Sequence, residues 1–393
     1  MAWIARRWSY TVTICAVVTF GVRSHADEVC QRNPNPVCIV DWAASMPGAT
    51  ATRVYRSDAV RIRLRLDLLE DAHRLAAATP GGENFDPLVL AELQARSGRK
   101  LEPNSTFESV RDAFEAWLDE IEARNRPLRG YINPALALMR YQEVADAQRR
   151  SGRVADARET ARRAIARAWS FHRRDPKAMS NRDVARSLAI FGVVYQRAGD
   201  REAARAALAA AEALIPAGIE AAEYLDAYRE IARLRAVLDD TAPLRESMSA
   251  LVREIEVWAK DAPSEQVRLS LDVLADIAEV LREANDREGA RQILNASSTF
   301  ERKAAEGGYP AAPSGGKLRL LIANDDWQGA SAALLPRLRS LGPLGDQSLE
   351  HLAIAQAQRG ALKEAVETAL RASRSWSQAN ILRLAALAAT AEK

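Results

Sequence analysis

Between residues 188 and 216 the apolar positions recur every three or four residues: Leu188, Phe191, Gly192 and Tyr195, then Ala204, Leu208, Ala211 and Pro216 after a break at Gly199 and Asp200. This period predicts two helices folded back on each other. Glycine accepts the left-handed conformation past a helix end, and aspartate accepts from the first free amides of the next helix. Gly192 lies inside the first helix, where glycine costs about 1 kcal/mol relative to alanine. The expected compensation is close approach of the hairpin's second helix to the first one's backbone.

The same spacing returns as Tyr141, Val144, Ala145, Gln148, Gly152, Ala157, Ala161 and Ala164, and again as Leu349, Leu352, Ala353, Gln356, Gly360, Ala365, Ala369 and Ala372. A further copy has Asn285 at the turn, and weaker ones centre on Asp239 and Asp325. A small residue, an aromatic three later, a turn glycine, two crossing alanines and a terminal proline, in this order, resemble the tetratricopeptide repeat. The resemblance implies an all-α superhelical array of antiparallel helix hairpins, a solenoid, over residues 134–393. The helix in "SWSQANILRLAALAAT" at 375–390 would serve as its C-terminal cap. Steps between turns run from 35 to 47 residues, against about 34 in the family, so the array is irregular; an alanine-rich bundle with similar hairpins is the competing architecture. In the family the first helix of each hairpin lines a concave groove. By matching position that face takes Gln142, Asp146, Arg149 and Arg150 in one unit, and Arg186, Val193, Gln196 and Arg197 in the next. Their donors suit carboxylates or backbone carbonyls of an extended, acidic protein or peptide partner. Family members that clamp a terminal carboxylate carry Lys and Asn at corresponding places, and Gln142 and Asp146 depart from that.

A helical N-terminal region is expected over 55–133. Ser105 and Glu108 stand in capping-box spacing, with Phe107, Val110, Phe114, Trp117, Leu118 and Ile121 on one face. Residues 59–68 alternate like a strand, but the apolar face continues through Ala76, so one helix running to the "PGG" at 80–82 is predicted. The glycines and prolines of "EGGYPAAPSGG" predict a surface loop.

Before this region, Arg6 and Arg7 precede an apolar run from Tyr10 to Val22, and Ser24 and Ala26 are small; this pattern predicts a secretory signal over 1–26. The run is short of the about 20 residues that span a bilayer, although an uncleaved anchor is the alternative. Export places the protein in the periplasm or outside the cell and leaves no transmembrane anchor after cleavage. Of the 55 Lys and Arg, Arg6, Arg7 and Arg23 fall in the signal, so the remainder balances the 52 Asp and Glu. A neutral chain lacks the footprint of a nucleic-acid binder. In an oxidising compartment Cys30 and Cys38 are expected to form a disulfide within an irregular segment, 27–54.

Catalytic motifs are missing from the pattern. Ala311 and Leu318 break a phosphate-loop reading of "GGYPAAPSGGKL". His73, His172 and His351 are far apart and read as solvated or structural, so no metal or other cofactor is expected. No Gly-x-Ser-x-Gly elbow occurs, and pairs such as Glu120 and Glu122 read as solvated helix surface. The sequons at Asn104 and Asn295 are common by chance. The expectation is a non-catalytic, exported scaffold. Two alternatives stand beside it: a helical envelope hydrolase acting on polysaccharide or peptidoglycan, and a permanent subunit of an envelope assembly.

Overall fold

The computed structural model describes residues 25–46, 53–78, 85–99, 106–123, 134–216, 218–261, 264–306, 315–338 and 343–391. Residues 1–24 of the segment 1–26 expected to be a signal, Asn104, Ser105 and the central part of the glycine-proline stretch lie outside them. Every regular element among the described residues is helical, and none is a strand. In chain order the helices are α1 His25–Arg32, α2 Pro36–Ser45, α3 Arg53–Arg65, α4 Leu69–Ala77, α5 Pro87–Ser97, α6 Phe107–Ala123, α7 Pro134–Arg150, α8 Val154–Arg174, α9 Asn181–Arg197 and α10 Arg201–Glu212. They continue with α11 Leu225–Leu238, α12 Ala242–Asp261, α13 Ser264–Glu283, α14 Arg287–Glu306, α15 Gly315–Ala323, α16 Trp327–Leu334, α17 Pro343–Gln358, α18 Leu362–Ala369 and α19 Ser375–Ala389.

Seven helices end the same way, α3 at Asp67 and six more at the expected hairpin turns. Gly152, Gly199, Asp239, Asn285, Asp325 and Gly360 all have positive φ, between 58° and 82°. At each, the next residue's N–H reaches back to the carbonyl five residues before it, as in Asp200 to Tyr195 at 2.8 Å and Asp286 to Leu281 at 2.8 Å. This doubled turn satisfies the carbonyls orphaned at a helix end. Asp200, Asp286 and Asp326 then accept from Ala203, Gly289 and Gly329 amides, at 3.1, 3.0 and 2.8 Å, capping the next helix.

The chain forms two compact units. In residues 69–341, α7 packs on α8, α9 on α10, α13 on α14 and α15 on α16, while the first helices meet in series: α7 with α9, α9 with α11, α11 with α13, and α13 with α15. Two apolar clusters run through this stack, one centred on Tyr141, Phe171, Phe191 and Leu234, the other on Leu251, Leu274, Ile277 and Leu320. Gly192 sits at such a first-helix contact. A Cβ there would lie 2.5 Å from Leu234 Cδ2 and 3.4 Å from Ala207 Cβ. The closest approach is therefore by α11 of the next hairpin rather than by the second helix of its own. Gly315 and Gly316, expected in a loop, open α15; a Cβ on Gly316 would lie 2.7 Å from the backbone carbonyl of Leu271, so the glycine lets two helix backbones touch.

The other unit holds residues 1–68 and 342–393. Here α17, α18 and α19 pack together, and α2 and α3 lie on α19. Ile39, Val40 and Ala43 are fully buried, as are Leu382, Ala385 and Ala386. The expected terminal cap is thus itself covered by the N-terminal helices. The segment 27–54, expected irregular, contains α1 and α2: Asn35 accepts from the Cys38 amide at 3.0 Å and Pro36 occupies the first helical turn. Cys30 and Cys38 form the disulfide, with Cα atoms 5.7 Å apart. The single helix expected from Ala59 to Ala76 is broken at Asp67, whose φ is 60°. Burial on several sides of α3, including Ser57, Asp58, Val60, Ile62, Arg63 and Leu64, explains why its sequence reads ambiguously. Asp58 is 2% exposed and is compensated by Arg61 at 2.7 Å and by Arg383.

Candidate partner-binding face

The expected groove residues fall on α7 and α9, whose local sequences fix their direction. Ser180 and Asp183 form a reciprocal capping box that sets the start of α9, and Gly199 ends it. Val184, Leu188, Phe191 and Tyr195 turn into the core, so Arg186, Val193, Gln196 and Arg197 stand beside that buried stripe, each half-buried.

These residues have different surroundings. Arg150 is committed to Glu92 of α5 through two bonds of 2.8 Å, Nε to Oε1 and a terminal nitrogen to Oε2, and Glu92 is 3% exposed. This pair holds α5 to α7, together with Arg140 and Asp86 at 2.7 Å. Arg150 therefore works as a structural clasp. Gln196 donates from Nε2 to the Val237 carbonyl at 3.2 Å, tying α9 to the end of α11, while its buried Oε1 accepts no bond. The Arg186 Nε is enclosed and donates to nothing, and no carboxylate among the described residues pairs with Arg186. Gln142 is half-buried on α7, and Arg149 and Arg197 are half-buried with interactions of their own.

Further along the series of first helices the charges are internally matched. Arg229 meets Glu279 at 2.7 Å, Arg233 meets Glu283 at 2.9 Å and Glu230 at 3.0 Å, and Arg319 bridges Glu279 at 3.0 Å and Asp276. Burial pushes the Glu283 carboxyl up, but the hydrogen bond and charge of Arg233, with Arg282 and Arg229 nearby, hold it below the usual glutamate range. Burial likewise opposes the charge on Arg233 and Arg319, and their carboxylate partners outweigh it and raise both guanidiniums. The result is a locked ladder over α11, α13 and α15, and on α9 a cation, Arg186, that no carboxylate among the described residues pairs with.

Elsewhere the candidates for chemistry have structural occupations. A ring nitrogen of His172 bonds the Met179 carbonyl at 2.8 Å, and Lys317 pairs with Glu301 at 2.7 Å. Asn295 is exposed on α14, but the hydroxyl of its sequon partner Ser297 is turned to the Leu294 carbonyl at 2.7 Å. Among the described residues no group of three or more His, Cys, Asp or Glu could hold a metal ion, and no helix is long and apolar enough to cross a membrane. Sequence reasoning missed a repeated buried pair: Thr160 donates to Gln148 Oε1 at 2.8 Å, and Thr368 to Gln356 Oε1 at 2.9 Å. Each pair sits at the same offsets from its turn glycine, Gly152 or Gly360, and locks the first helix of a hairpin to the second. A scan against protein families and a search of curated proteins give no match to this chain.

Proposed function

We propose that the protein is an exported, tetratricopeptide-like helical-repeat scaffold that binds an acidic segment of a protein partner on the first-helix face of α7 and α9, without chemistry of its own. The observation that carries this reading is Arg186, a half-buried cation with no carboxylate partner among the described residues, on a face where the later Arg229, Arg233 and Arg319 are each paired. A partly desolvated, uncompensated charge is costly in a folded chain, and a carboxylate from a partner relieves that cost with charge-assisted hydrogen bonds. Serial contact between first helices offers an extended partner a continuous track. The disulfide supports export, because such bonds persist in oxidising compartments.

The test is fluorescence anisotropy with an extended Asp/Glu-rich peptide and a lysine-rich control, on wild type and on Arg186→Glu with Arg197→Glu. The proposal expects the acidic peptide alone to bind, more weakly as salt rises, and at least tenfold more weakly to the variant. Equal binding of both peptides, or an unchanged affinity in the variant, would refute it.

A further inference from the structure

Met139 on α7 and Arg186 on α9 each stand thirteen residues before a turn glycine, Gly152 and Gly199. These two first helices meet directly, so equal offsets from equivalent turns set both residues in one layer of the candidate face. Met139 opens the stripe that continues through Gln142, Asp146 and Arg149, because residues three and four apart share one side of a helix. It is 44% exposed, while Leu138 and Tyr141 beside it are buried. Along α9, Ile190 and Val193 follow Arg186 on the same side and are half-buried. The cation is therefore bordered by apolar groups, Met139 on the neighbouring helix and Ile190 and Val193 on its own. Carboxylates lie further out. Asp146 is two turns along α7, and Asp226 of α11, at the same thirteen-residue offset from Asp239, is held by Arg182 at 3.6 Å.

We infer that the partner segment recognised here carries one carboxylate for Arg186 and, about three residues from it, an apolar side chain that covers Met139. The inference rests on the acidic-partner reading above and narrows it from an acidic run to a mixed motif. Packed helices run about 8–10 Å apart. A polyproline II chain rises about 3.1 Å per residue and returns to the same side every third residue, so one turn of it spans the step from the α9 cation to the α7 methionine. A β strand does not, since its same-side groups fall about 6.6 or 13 Å apart. The spacing is the same in either chain direction. The carboxylate answers Arg186 with charge-assisted hydrogen bonds, and the flexible thioether of Met139 adapts to the apolar group laid on it. A run of acids fits this surface less well. Its further carboxylates would lie beside Met139, Ile190 and Val193, which offer no side-chain donor, or approach Asp146 and Asp226, where like charges repel.

Fluorescence anisotropy of the full chain with four peptides tests the inference. One is a Ser/Gln-rich peptide with a single Glu and a Leu three residues away; the second has that Leu replaced by Ser, the third has it moved next to the Glu, and the fourth is Asp/Glu-rich. The first is expected to bind at least about fivefold more tightly than each of the others, from the apolar area its Leu covers. Met139→Ser is expected to abolish that preference, and Arg186→Glu to weaken every acidic peptide. Met139 is exposed, and far-UV circular dichroism checks that the helices are retained. Equal affinities for the Leu and Ser peptides, indifference to the position of Leu, or a preference kept by Met139→Ser overturns the inference. In each of these cases the acidic-partner reading survives if Arg186→Glu still weakens binding. Binding by none of the four peptides removes both.

Discussion

Gly192→Ala adds one methyl at the point where α9 and α11 cross. Its carbon would sit 2.5 Å from Leu234 Cδ2, 3.2 Å from Leu234 Cδ1 and 3.4 Å from Ala207 Cβ, where carbon atoms prefer about 3.5–4.0 Å. Leu234 is fully buried, so its isopropyl group cannot swing into solvent. On an open helix surface the exchange would stabilise by about 1 kcal/mol, while overpacking a core costs about 1–3 kcal/mol. With the nearest contact short by about 1 Å against that preferred separation, overpacking wins, for a net loss of about 1–2 kcal/mol. That corresponds to a melting temperature lowered by about 2–8 °C in a domain of this size. Urea unfolding followed by circular dichroism reads it as a lower midpoint at unchanged slope. The decisive arm is the double variant with Leu234→Ala, which gives the new methyl room. The pair should be less destabilised than the sum of the singles by about 1–2 kcal/mol. Strict additivity, or a Gly192→Ala variant more stable than wild type, would refute the crossing as the reason for this glycine.

Gly316→Ala should cost more than Gly192→Ala in the same assay, because its methyl meets the Leu271 backbone at 2.7 Å rather than a side-chain tip. Replacing Cys30 and Cys38 together by Ser should cost about 2–3 kcal/mol from the reopened loop, read as a lower urea midpoint that reductant no longer changes. The Glu283 carboxyl, held below its ordinary value of 4.5, contributes stability that is present above that value and lost as pH falls through the lower folded value. Acid titration should therefore show a shallower loss for Glu283→Gln than for wild type, and parallel curves would count against the ladder.

How much of this was legible in the sequence varies with the range of the interactions involved. The six turns were, because a residue with positive φ must be glycine, asparagine or aspartate at little cost, and a fixed offset separates each from its apolar stripe. Asp67 was not: α3 is buried on several sides, so the alternating Arg and apolar residues around Arg61 to Leu66 carry no single helical face. Gly315 and Gly316 sit beside prolines and read as loop, while the packing that needs Gly316 depends on Leu271, distant in sequence. The Arg150 clasp was equally invisible, since its partner Glu92 lies 58 residues away. Gln148 and Gln356 stood out by position, but Thr160 and Thr368 look like ordinary polar helix residues until the hairpin closes. At the candidate face the residue types were readable, and what sets Arg186 apart from the paired arginines was a property of the neighbouring helices.

Hydrogen exchange on the protein with and without a saturating Asp/Glu-rich peptide tests the central claim most directly. Peptic fragments spanning α9, with those of α7 beside it, should gain protection, while α8 and α10 behind them exchange as before. Protection confined to the second helices, or none anywhere despite measured binding, would contradict the account.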